Sequence, residues 1–126
     1  MAGERILVVE DNELNMKLFR DILVSTGYRT LEATTGGEAV ELATEHTPDL
    51  VLMDIQLPDL DGVQALGRLR ADERTAAIPV LALTAQAMDG DRERFLAAGF
   101  DGYLSKPVNV PALISAVRLH CDGGDR

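Results

Sequence analysis

Leu50-Val51-Leu52-Met53-Asp54-Ile55-Gln56-Leu57-Pro58-Asp59-Leu60-Asp61-Gly62 decides the fold of this chain. Four apolar residues run straight into a carboxylate and a Pro/Asp/Gly turn follows, so the stretch predicts a buried strand with Asp54 at its carboxyl end. Open α/β sheets keep their chemistry at that end of their strands. An aspartate there is also an ordinary way to open a turn. Whether Asp54 is more than that depends on the rest of the chain.

Upstream, Ile6 to Val9 is a second apolar run, bounded by Arg5 and by Glu10-Asp11, and predicts another buried parallel strand. Asn12 is a candidate N-cap for a helix with Leu14, Leu18, Phe19, Ile22 and Leu23 at three- and four-residue spacings, ended by Gly27. Tyr28 to Ala33 predicts a short strand. Ala39, Val40, Leu42 and Ala43 give the stripe of a second helix that stops near Pro48. Downstream, a helix starts near Gly62 with Val63, Leu66 and Leu69 inward. Val80 to Leu83 is a fourth strand, and a fourth helix with Phe95 and Leu96 ends at Gly99. Tyr103-Leu104 makes a short fifth strand leading into Ser105-Lys106-Pro107. Asn109 caps a last helix that has Pro111 in its first turn and buries Leu113, Val117 and Ala116. Asp122 to Arg126 reads as a frayed tail.

Five strands alternating with five helices predict an α/β fold: a doubly wound, five-stranded parallel sheet with right-handed crossovers and helices on both faces. The flavodoxin-like order 2-1-3-4-5 puts the most continuously apolar strands in the middle. The 126 residues fit one domain, with a core of about 5–120. A composition 46% hydrophobic and 26% charged describes a soluble globular protein. The formal charge of −9 argues against a nucleic-acid surface. No signal peptide or membrane span is evident, which points to the cytoplasm. Cys121 is alone, so no internal disulfide is expected.

In this topology Glu10, Asp11, Asp54, Thr84 and Lys106 all follow strands and converge on one edge of the sheet. Each has a plain alternative: Asp11 favouring a helix start, Thr84 capping the fourth helix, Lys106 a solvated loop lysine. Two carboxylates about 4 Å apart repel by roughly 4 kcal/mol at an effective dielectric near 20, so the cluster calls for a cation. A few oxygen ligands suit Mg²⁺ that keeps several waters, with Mn²⁺ as a substitute. Beside such an ion an ionised Asp54 is a nucleophile toward phosphorus, with Thr84 and Lys106 binding the phosphoryl oxygens.

Glu10-Asp11, Asp54 within Leu-Met-Asp-Ile-Gln-Leu-Pro, Asp61-Gly62, Thr84-Ala85 and Lys106-Pro107 fall in order along the chain. Together they resemble the CheY-like receiver domains of two-component response regulators, from Arg5 to His120. Val9 to Phe19 with Leu52 to Pro58 further resembles a single-domain regulator of the cell cycle. The resemblance implies a signalling domain rather than an enzyme. Asp54 would accept a phosphoryl group from a histidine kinase or histidine phosphotransfer protein in trans. Asp11, Asp54 and the backbone carbonyl of Gln56 would ligate Mg²⁺, and Glu10 would act through water. Glu10 stands where the family more often has Asp, which bears on metal geometry. Tyr103 would be the switch aromatic that follows Thr84, although an ordinary edge-strand aromatic looks the same in sequence. Ala85 would leave access to the acyl phosphate, Gln56 and Gln86 would border the path of attacking water, and Lys106-Pro107 is a candidate cis peptide.

With little chain beyond the last helix, output is expected by protein contact from a monomer, through the fourth helix, fifth strand and fifth helix; a receiver excised from a larger regulator or hybrid kinase is the alternative. The first helix, with Met16 and Phe19, is the competing surface. A haloacid-dehalogenase-type phosphatase would need an acid where Gln56 stands. A flavodoxin would need a Ser/Thr/Gly loop where Glu10-Asp11-Asn12-Glu13 stands. His46 and His120 lie away from the strand ends, so no internal phosphodonor is expected.

Overall fold

The computed structural model describes residues 3–85, 91–107 and 109–121, with the side chains of Asp91 and Arg92 excepted. The expected tail and Gln86 lie outside the described residues. In chain order the elements are β1 (Arg5–Val9), α1 (Glu13–Ser25), β2 (Arg29–Ala33), α2 (Gly36–His46), β3 (Leu50–Asp54), α3 (Gly62–Ala71), β4 (Val80–Thr84), α4 (Asp91–Ala98), β5 (Gly102–Ser105) and α5 (Val110–Cys121). All pairings are parallel and the strand order is β2-β1-β3-β4-β5, as the apolar runs predict. β1, β3 and β4 are buried on both faces apart from Arg5, whereas β2 at one edge keeps partly exposed residues.

Strand alternation divides the core in two. Ile6, Val8, Leu50, Leu52, Leu81 and Leu83 point to the face covered by α1 and α5, where they meet Phe19, Leu23, Leu113 and Val117. Leu7, Val9, Val51, Met53, Val80 and Ala82 point to the other, against Ala39 and Ala43 of α2, Leu66 and Leu69 of α3 and Phe95 of α4. Among the described residues no helix is long and apolar enough to cross a membrane.

Three residues expected inside, Leu14 (79%), Leu18 (43%) and Val63 (46%), are exposed, as is Leu96 (42%) of α4. At about 100° per residue the stripe that α1 buries runs through Met16, Phe19, Ile22 and Leu23, leaving Leu18 on its flank and Leu14 on the far side. Leu96 is likewise one residue, and so about 100°, past the buried Phe95. Met16 and Phe19 are both buried, so neither forms the docking surface considered for α1.

The caps follow the sequence closely. Asn12 accepts from Asn15 N–H at 3.0 Å. Asp61 and Gln64 form a capping box on α3, and Asn109 Oδ1 accepts from Ala112 N–H at 3.0 Å. Thr26 is the C-cap of α1, with Gly27 next at φ 100°. α2 ends differently, on Thr47, a β-branched residue held left-handed at φ 41° and ψ 66°. Such a residue pays about 1–2 kcal/mol there, which asparagine largely avoids. Thr47→Asn is therefore expected to raise stability by about 0.5–1 kcal/mol, read as a higher urea midpoint. A midpoint at or below the parent's would show that Thr47 is not strained.

Candidate functional site

Glu10 and Asp11 directly follow β1, Asp54 and Thr84 end β3 and β4, and Lys106 directly follows β5. Register sets them side by side: Asp54 pairs with Leu83 and Thr84 with Ser105. Close packing holds Asp54 from beneath. A Cβ at Gly62 would lie 2.7 Å from Ile55 Cα and 2.9 Å from the Asp54 carbonyl oxygen, so only glycine lets α3 begin so near. The carboxylate itself is oriented by Gln56 N–H, which donates to Asp54 Oδ1 at 2.8 Å.

Glu10 and Asp54 are 1% and 5% exposed. Lys106 reaches between them. Its Nζ donates to Asp54 Oδ2 at 2.7 Å and stands 2.7 Å from Glu10 Oε1. That Glu10 contact is an ion pair without good hydrogen-bond alignment, since Oε1 has no partner that satisfies hydrogen-bond geometry. Glu10 Oε2 accepts from Asn12 N–H at 3.1 Å. Burial pulls the Lys106 ammonium toward a lower pKa, but its hydrogen bond to Asp54 and its attraction to the Asp54 and Glu10 charges outweigh this and hold it above the ordinary lysine value. The picture of carboxylates repelling without relief is thus corrected: a side chain expected to wait for phosphate already bridges two of them.

Glu10, Asp11 and Asp54 can each turn one oxygen toward a common point, with those oxygens within 4.8 Å of one another. Three carboxylates against one ammonium leave a formal charge of −2, which one divalent ion would cancel. The donors are all oxygen, Asp11 is exposed to solvent, and Glu10 Oε1 is buried without a well-formed hydrogen bond. The residues fit Mg²⁺ and not a closed thiolate or imidazole cage.

Thr84 is 3% exposed, and its carbonyl accepts from Lys106 N–H at 2.7 Å. Tyr103 is half-buried, 5.6 Å from the Phe95 ring of α4, on the same sheet face as Ala82. The Lys106-Pro107 peptide is cis.

Two polar residues had no obvious signal in the sequence. Arg70, at the end of α3, donates to the carbonyls of Ala76, Ile78 and Gly99 and to Asp101 Oδ2, which also accepts from Val80 N–H. Asp59, in the loop after β3, accepts from Gly36 N–H at 2.7 Å and Gly37 N–H at 3.0 Å. Those donors, Gly37 first, hold its carboxyl below the usual range. Each depends on a partner more than twenty residues away, which spacing along one element does not reveal.

An acidic edge of a doubly wound parallel sheet, bridged by a lysine after the last strand, defines a class. The chain belongs to the response regulator receiver domain family, whose pattern it matches over residues 6–118, and is therefore a receiver of two-component signal transduction. It is 50% identical over 115 residues to the polar-differentiation response regulator DivK of Brucella ovis and of Brucella abortus, covering 91% of this chain and 94% of theirs. By structure it is similar to the receiver domain of a sensor histidine kinase from Pseudomonas aeruginosa that has magnesium coordinated in its active-site cleft (TM-score 0.88, 40% identity, 96% of this chain and 99% of that one). It is also similar to the Saccharomyces cerevisiae receiver domain of Ssk1, crystallised with the histidine phosphotransfer protein Ypd1 (TM-score 0.89, 29% identity, 98% and 92%).

Proposed function

We propose that Asp54 is the phosphoacceptor of this receiver and that residues 1–126 act as one monomeric, cytoplasmic signalling unit in control of cell division or polarity. The observation that carries the reading is the buried Glu10–Lys106–Asp54 arrangement at the strand ends, with Lys106 Nζ 2.7 Å from each carboxylate. The relatives' name, polar-differentiation response regulator, supports the cellular role.

The donor is a phosphohistidine on a kinase or phosphotransfer protein, in keeping with the co-crystal of the Ssk1 receiver with Ypd1. An Asp54 oxygen forms the new bond to phosphorus while the P–N bond breaks, its electron pair passing to the imidazole. Gln56 N–H orients the carboxylate, and Lys106 pairs with the phosphoryl oxygens, joined by the Thr84 hydroxyl. Asp11, Asp54 and the Gln56 carbonyl would hold Mg²⁺ or Mn²⁺, with Glu10 acting through water. Bound there, the ion supplies charge neutralisation between acceptor and donor. On this reading the chain assists its own phosphorylation and dephosphorylation and turns over no other substrate.

Output leaves by contact with a protein partner on α4, β5 and α5, without nucleic acid or membrane. Thr84 and Tyr103 lie on one sheet face, and Tyr103 packs on Phe95 of α4, which supports an output surface that includes α4 and β5. Acetyl phosphate with Mg²⁺ is expected to add one phosphoryl group by intact mass, and EDTA to prevent it. Amide exchange in the labelled protein should change in α4, β5 and α5. Labelling that ignores EDTA contradicts the metal role, and exchange altered only at the strand ends contradicts the output face.

A further inference from the structure

We infer that Asp59 is a positioning residue for divalent-cation binding: its carboxylate pins the loop after β3 to the N-terminus of α2 and so fixes where that loop presents its ligands. The inference rests on the metal reading above and extends it to a residue that touches neither the ion nor the phosphoryl group.

A helix leaves its first N–H groups without partners inside the helix. In α2 the N-cap Thr35 takes the N–H of Glu38 at 3.1 Å, and the N–H groups of Gly36 and Gly37 go to the two oxygens of Asp59. An anion at this end is further favoured by the helix dipole. The two glycines permit the approach. A Cβ on Gly36 would lie 2.9 Å from Leu60 Cβ, and one on Gly37 would lie 3.2 Å from Asp59 Oδ2. The fork therefore needs both the aspartate and the space left by the glycine pair.

Its position in the loop gives the fork a consequence at the site. Ile55 is tied to the sheet through its N–H to the Leu83 carbonyl, and Gly62 N–H returns to the Ile55 carbonyl. Between those anchors Gln56, Pro58 and Asp59 are exposed, and the Asp59 fork bonds this stretch to a different element. Gln56 both orients Asp54 through its N–H and is the residue whose carbonyl would meet the ion, three positions from Asp59. Releasing the fork frees the loop on the side of the metal ligands while leaving every charged ligand in place.

The test is calorimetric titration with Mg²⁺ alone, in variants checked for folding by circular dichroism. Asp59→Ala is expected to bind about tenfold more weakly than the parent, a size usual for groups that orient ligands. Asp59→Asn, which keeps an acceptor for one N–H, should fall between. Gly36→Ala should weaken binding as Asp59→Ala does, because it pushes the same loop away. Thr35→Ala removes a cap from the same helix without touching the loop and should bind as the parent does. Asp59→Ala binding as tightly as the parent, or Thr35→Ala weakening binding equally, overturns the positioning role and leaves the metal reading standing. A parent that binds no Mg²⁺ overturns both.

Discussion

Asp54→Asn is expected to lower phosphorylation by acetyl phosphate at least about a thousandfold, some 4 kcal/mol of barrier, to the limit of detection by intact mass. The substitution is isosteric, and an amide oxygen can still accept the Gln56 N–H that now reaches Asp54 Oδ1. What disappears is the anionic oxygen proposed to attack phosphorus. Lys106 keeps Glu10 as a partner, so the variant should fold. Its labelling is informative for that reason. Incorporation at the parent's rate in Asp54→Asn would move the acceptor to another carboxylate and undo the assignment.

Lys106 carries the second large effect, and the structure changes what is expected of it. From sequence it is a phosphate contact whose loss leaves the fold alone. In the molecule it is the cation between two carboxylates that are almost wholly buried. Removing one member of a buried ionic group leaves the rest without compensation, so Lys106→Ala should destabilise the metal-free protein by about 2–4 kcal/mol. Mg²⁺ should recover much of this, because it binds the folded state and supplies the missing charge. Urea unfolding in EDTA and in saturating Mg²⁺ measures both. Equal midpoints for variant and parent in EDTA would mean that the bridge contributes nothing. The phosphorylated variant should also lack the exchange changes of α4, β5 and α5.

The central strands were readable because burial on both faces leaves uninterrupted apolar runs, and each run stops at a polar residue on the same edge of the sheet. Ile6 to Val9 with Glu10, and Leu50 to Met53 with Asp54, illustrate this directly. Helix faces were harder. Leu14 and Leu18 satisfy a helical spacing with Phe19 and Ile22, yet the buried stripe is centred elsewhere and takes Met16 instead. Periodicity gives a face its width, while packing chooses its centre. The site was legible as a set of strand ends but not in its connections. That Glu10 is long enough to meet Lys106, or that Asp59 closes the end of a helix more than twenty residues earlier, follows from assembly in three dimensions.

The bridge from Lys106 to Asp54 spans 52 residues of sequence, and Glu10 lies farther away still. During synthesis the two acids are made long before the lysine that reconciles them. A nascent chain that has not yet added β5 therefore holds its acidic edge without its own counter-charge, in a parallel sheet whose pairings are slow to close. The ammonium that bridges those acids and completion of the sheet then arrive together, when the last strand docks. A chain cut short before β5 keeps the acids of the site and lacks the cation that bridges them.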